Sequence, residues 1–199
     1  MKKLLIVLFS VFAMANANAA VLSFDDLNLT SDYQAMPDLN YGGFTWDSRW
    51  FAGNTSTHAN YANSATSGTQ YLSNGDNVNN LTVSAATAFD FDGAWFGAPG
   101  GQVSHPNPAE WINITAYDSL NNLIGSTGQI SLTNLMTFVA AGFQNVSSLV
   151  ISRGNGWFTM DDFTYDGNVS AVPVPAALFL FAPALLGFLG LRRKATTVA

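Results

Sequence analysis

Two segments of the 199-residue chain set paired carboxylates beside aromatic residues: Phe24-Asp25-Asp26 and Met160-Asp161-Asp162-Phe163. Adjacent buried carboxylates repel and are costly unless a cation neutralises them. Calcium takes about six to eight hard oxygen ligands, which Asp side chains and backbone carbonyls supply. If the first and last strands of a sandwich lie side by side, up to four carboxylates meet. A calcium ion would then staple the two ends of the domain. The alternative is that these aspartates end strands or accept hydrogen bonds from backbone N–H groups.

Aromatic residues form the second constellation. The stretch YGGFTWDSRWF places Tyr41, Trp46, Asp47, Arg49 and Trp50 within ten positions. Trp95, Trp111 and Trp157 likewise border turn-like segments. Aromatic faces stack on the apolar faces of sugar rings, and a few fixed polar groups then orient the ligand. The 41–50 stretch is therefore the first expected glycan surface, although a sandwich core also needs large rings. Catalysis finds less support. Glu110 is the only glutamate, and the chain has no Gly-x-Ser-x-Gly elbow and no phosphate loop. His58 and His105 each fall in a polar loop and read as solvated.

Charge is distributed unevenly. Of 7 basic residues only Arg49 and Arg153 lie between the ends, while all 13 acids do, so residues 20–171 carry about −11. Such a surface repels nucleic acid and anionic lipid and suits divalent cations or uncharged partners. The absence of cysteine removes disulfides, zinc–thiolate sites and thiol nucleophiles together.

The elements that must position these residues read as strands. Short apolar and aromatic runs alternate with turn signals such as Asn-Gly, Asn-Asn, Gly-Gly and Pro-Asn-Pro. No window between the ends shows a 3.6-residue stripe. In WINITAYD, Ile112, Ile114 and Ala116 share the inward parity, opposite Trp111, Asn113, Thr115 and Tyr117. In FDFDGAWF, Phe89 and Phe91 point inward, and Asp90 and Asp92 stand at the surface or near a metal. About eight short strands predict an all-β fold, an antiparallel jelly-roll β-sandwich spanning 20–168. Ala52 to Gly68 is the most loop-like segment.

Both ends read as addresses. Residues 1–19 have the charged start (Lys2, Lys3), short apolar stretch and Ala17-Asn18-Ala19 pattern of a signal peptide, with Ala15-Asn16-Ala17 as an alternative cut. The last segment, 169–199, holds an uncharged run ending at Leu191, then Arg192, Arg193 and Lys194. A transmembrane helix over about 174–191 with a cytoplasmic basic tail is expected.

The sequence Val172-Pro173-Val174-Pro175-Ala176-Ala177, followed by that run and Arg192, Arg193 and Lys194, resembles the PEP-CTERM sorting signals of bacteria in their Val-Pro-x-Pro-Ala variant. The resemblance implies recognition by an exosortase-like enzyme in the inner membrane, cleavage, and passage to the cell surface or extracellular matrix, often alongside exopolysaccharide and biofilm genes. The interior is similar to jelly-roll carbohydrate-binding and galactose-binding-like modules. That resemblance implies a structural calcium held by Asp25 or Asp26 and by Asp161 or Asp162.

The sequence thus points to an exported, non-catalytic surface or matrix protein that binds exopolysaccharide or another glycan. A structural or adhesive coat protein with self or protein partners is the alternative, and a glycoside hydrolase the third reading.

Overall fold

The computed structural model describes residues 19–75, 78–100 and 107–167. The expected signal peptide, sorting motif, transmembrane helix and basic tail lie outside these residues, as does His105. Among the described residues no helix is long and apolar enough to cross a membrane.

Eleven strands run in the order β1 (Ala20–Leu22), β2 (Tyr33–Ala35), β3 (Thr45–Trp46), β4 (Trp50–Asn54), β5 (Gln70–Asn74), β6 (Asn80–Gly97), β7 (Trp111–Tyr117), β8 (Leu123–Ser126), β9 (Ile130–Ser131), β10 (Thr137–Arg153) and β11 (Thr159–Gly167) among the described residues. Every strand pair is antiparallel, and the main path is β2-β4-β5-β11-β6-β10-β7-β8. The all-β, antiparallel expectation holds.

Two long strands turn this path into a sandwich. β6 has 18 residues and β10 has 17, about three times the usual strand length. Leu81–Ser84 pair with Ser148–Ile151 in one layer, and Phe89–Phe96 pair with Thr137–Val146 in the other. Between them the register slips at Ala140/Phe143, Phe143/Val146 and Val146/Ser148. Such bulges bend and twist a ladder, so each long strand passes from one layer to the next. The layers close over one apolar cluster that includes Phe24, Trp46, Trp50, Phe91, Ile114, Leu149 and Phe163.

The first and last strands are neighbours, as the sequence suggested. β1 pairs with β11 through Ala20↔Tyr165, Val21↔Thr164 and Leu22↔Phe163. On its other side β11 pairs with β6, and further along its near side with β5. The chain's last described strand is therefore an interior strand of the sheet.

β7 follows the alternation read from its sequence. Ile112, Ile114 and Ala116 are fully buried, while Trp111, Asn113, Thr115 and Tyr117 are half-buried on the opposite face. Two elements were not foreseen: the three-residue β2 and the first half of β10.

Candidate functional site

The paired acids converge on a loop. Asp25 Oδ1 accepts the N–H groups of Thr69 at 2.7 Å and Gln70 at 3.0 Å, and its carbonyl takes the Gln70 amide at 2.8 Å. Asp161 Oδ2 accepts the N–H groups of Thr66 at 2.6 Å and Ser67 at 3.0 Å, and its Oδ1 the N–H of Asp162 at 2.8 Å. Asp162 Oδ1 accepts the Ser67 hydroxyl at 2.6 Å. The segment beside the first strand and the last strand thus clasp the same five residues, 66–70. Gly68 closes the clasp: its φ is +50°, and a Cβ there would fall 2.1 Å from both oxygens of Asp25.

Asp26 stands apart. It accepts the Tyr41 hydroxyl at 2.5 Å. Burial, and next the hydrogen bond to Asp26, push the Tyr41 phenol upward.

The donors around these acids are mostly backbone N–H groups. Among the described residues no three Asp, Glu or His side chains gather into a group that could hold a metal ion. Backbone N–H groups bond to Asp25 and Asp161, as the second possibility the sequence left open has it. Asp161 is fully buried, and burial pushes its carboxyl up to about 7 against the opposing pull of the Ser67 and Thr66 N–H groups.

The 41–50 stretch does not form the expected sugar surface. Trp46 is 2% exposed and Trp50 0%, so neither indole offers a face to a ligand. They meet edge to face at 5.9 Å, and their ring N–H groups donate to the carbonyls of Tyr41 at 2.9 Å and Thr82 at 3.2 Å. Phe44, Trp46 and Trp50 share one parity and enter the core together. Arg49 is closed on Asp47, with Nε 2.7 Å from Oδ1 and a terminal nitrogen 2.5 Å from Oδ2. His58 is half-buried rather than solvated: its ring lies 4.6 Å from Tyr61, and Nδ1 is 3.3 Å from the Tyr71 hydroxyl.

The outward aromatic surface lies elsewhere. Along β6, Phe89, Phe91, Ala94 and Phe96 are buried in the core, which leaves Asp90, Asp92 and Trp95 on the outer face. Phe138 of β10 is the register partner of Trp95 and is 39% exposed. The two rings are 5.8 Å apart at 63°. Gly93 makes room for them, since a Cβ there would fall 2.9 Å from the Phe138 ring and 2.3 Å from the Val139 carbonyl oxygen.

Carboxylates lie further along the outer side of β6 and β11. Asp166 of β11 is the register partner of Asp90. Asp90 Oδ1 accepts the Asn145 N–H at 2.8 Å, while Asp166 Oδ1 is buried with no hydrogen-bond partner. Burial, then Asp166, then Asp90 push the Asp92 carboxyl above the ordinary carboxylate range.

Sequence reasoning placed Asp90 and Asp92 at the surface or near a metal but missed the pairing of Trp95 with Phe138. Asp90 and Asp92 alternating with Phe89 and Phe91 were the available signal. Glu110 is exposed, outside both the clasp and the aromatic face.

No protein-family model matches the chain, and no curated protein does. Solved structures similar to it include a DUF4465 family protein from Bacteroides caccae, 12% identical over 74% of this chain and 98% of that one, at a TM-score of 0.48. The tandem CBM22-1-CBM22-2 domain of Paenibacillus barcinonensis Xyn10C is 13% identical over 74% of this chain and 44% of that one, at 0.39. The module TmCBM61, solved with β-1,4-galactotriose, is 13% identical over 68% and 98%, at 0.36. At such scores neither ligand nor activity carries over to this chain.

Proposed function

We propose that the protein binds glycan, without catalysing a reaction, on the outer face of β6, β10 and β11. The observation that carries this reading is the outward pair Trp95–Phe138, for whose Phe138 ring Gly93 leaves room. Rings turned away from the core supply stacking area, and carboxylates along the same strand supply acceptors for hydroxyl groups. The jelly-roll description belongs to the same reading and is supported by the β1–β11 pairing. So does delivery to the cell surface, supported by the signal-like residues 1–19 and by the Val172–Ala177 motif with its basic tail.

Full-length protein on a broad glycan array is expected to give sugar-specific signal that Trp95→Ala and Phe138→Ala both remove. An array blank for the wild type, or a signal untouched by both substitutions, would defeat the proposal.

Calcium at the clasp is a further proposal from the sequence. A cation there would have to exchange with the Thr66 and Ser67 N–H groups on Asp161. Binding to the folded state alone would raise the melting temperature with log calcium concentration. Coincident melting curves in EDTA and in excess calcium would remove the ion from the account.

A second reading, self-association, is favoured by one edge. β8 ends the sheet path, and Leu120 and Leu123 on and beside it are 78% and 64% exposed. Sedimentation that stays monomeric across a hundredfold range of concentration would exclude it.

A further inference from the structure

The outer face of the sheet is open at Trp95 and roofed beside it. Tyr71 and Ser73 of β5 and Thr159 and Asp161 of β11 alternate with the core residues Leu72 and Met160, so they face away from the core. All four are nonetheless fully buried. The segment between β4 and β5 covers Tyr71 and Asp161. Tyr61 lies on Tyr71 with ring centroids 5.2 Å apart at 11°, and on Tyr33 at 5.5 Å. Thr66 and Ser67 of the same segment reach Asp161. At β6 the cover ends: Trp95 is half-buried and Phe138 is 39% exposed.

Asp161 fixes where the cover stops. It is the register partner of Trp95. Directly opposed residues of an antiparallel pair point to the same face, with Cβ atoms about 4.5–5.5 Å apart. One oxygen of Asp161 takes the Thr66 N–H at 2.6 Å and the Ser67 N–H at 3.0 Å. The Ser67 hydroxyl is tied to Asp162 at 2.6 Å. The backbone at Thr66 therefore stands on the strand next to Trp95, on the side of the sheet to which the indole points. Thr66 itself is exposed.

We propose that residues 63–67 are the wall of the glycan surface. A saccharide ring stacked on Trp95 abuts this segment, the Thr66 hydroxyl supplies a polar contact that orients it, and Asp161 is the positioning residue that holds Thr66 in place. The inference rests on the reading of Trp95–Phe138 as the glycan surface. Stacking alone leaves a sugar free to turn on the ring, and a fixed polar group at its edge removes that freedom. A wall over β11 also confines the saccharide to the strip above β6 and β10, so its chain runs along these strands rather than across to β5.

The test is calorimetric titration of the full-length protein with β-1,4-linked hexamers of glucose, galactose, xylose and N-acetylglucosamine. At least one is expected to bind. Thr66→Val keeps the shape and removes the hydroxyl; it is expected to weaken that binding about three- to tenfold, the range of one hydrogen bond, with an unchanged melting temperature. Asp161→Ala is expected to weaken it further in the protein that stays folded, while Asp161→Asn, which retains an acceptor oxygen, restores most of it. The chain has no cysteine, so Thr66→Cys offers a single thiol for a nitroxide label. In protein carrying fluorotryptophan, that label is expected to broaden the fluorine resonance of Trp95, assigned by its loss in Trp95→Phe, more than those of the other four tryptophans.

Binding that Trp95→Ala removes and Thr66→Val leaves unchanged would overturn the wall and leave the glycan surface standing. A Trp95 resonance broadened no more than the others would overturn it as well. Folded Asp161→Ala protein with wild-type affinity would overturn the positioning role; should that variant fail to fold, the Thr66 variants decide alone. Failure of every hexamer to bind would overturn the wall and the glycan surface together.

Discussion

Two aromatic pairs in this molecule have nearly the same separation and opposite fates. Trp46 and Trp50 meet at 5.9 Å inside the core, and Trp95 and Phe138 meet at 5.8 Å on the outer face. The first pair is the denser in sequence and looked the better ligand surface. The second is split between strands 43 residues apart in number. Ring chemistry does not distinguish them; position relative to the sheet does. Phe44, Trp46 and Trp50 carry their bulk into the cluster around Phe163, and carbonyls satisfy both indole N–H groups. Trp95 shares its side of β6 with Asp90 and Asp92, so burying it would drag carboxylates into the core.

The comparison can be broken most directly at its buried member. Trp50→Ala is expected to cost about 3–5 kcal/mol in urea unfolding, as large ring truncations in cores do. If that variant unfolded like the wild type and lost glycan binding, the assignment of the two pairs would be reversed. A smaller effect is expected at Gly93→Ala. Its new methyl meets the Val139 carbonyl and the Phe138 ring, and about 1–3 kcal/mol of strain is expected, with a shift in Trp95 fluorescence.

Asp161 sharpens the comparison, because it is the register partner of Trp95. Its carboxyl is raised to about 7 in the folded protein and is ordinary, about 4, when unfolded. Between these values the folded state holds the extra proton, so stability falls as pH rises through that window and levels above it. Wild type minus Asp161→Asn, followed by denaturant midpoint from about pH 4 to pH 8, is expected to show that decline. A flat difference would show that the N–H groups of Thr66 and Ser67 dominate burial. The smallest stability effect belongs to Phe138→Ala, under about 1 kcal/mol, since its ring is substantially exposed.

Much of the scaffold could be read from alternation. Ile112, Ile114 and Ala116 went inward and their neighbours outward because nothing interrupts the period of two in β7. The adjacency of the first and last strands was also expected, whereas the sharing of the 66–70 segment by Asp25 and Asp161 was not. Hydrogen bonding to backbone N–H groups was one of the two readings left open, but which segment supplies them was not readable, since a loop's N–H groups leave no mark in composition. β10 was half missed for a local reason. Gly142 and Asn145 adopt positive φ values of 61° and 62°, and the slips around them scramble the alternation from which a strand is recognised. Phe138 was lost with that half, and so was the surface it completes.

The position of β11 governs when this domain can come into being. Its residues fill the gap between β5 and β6 and also receive β1, so three earlier strands wait for the last of the described strands. A chain interrupted before Thr159 would hold two open ladder edges and no means of joining them, a state prone to sticking to other chains. Assembly is therefore nearly all-or-nothing in chain length, and fragments trimmed from the far end should be degraded or clump rather than linger half-built.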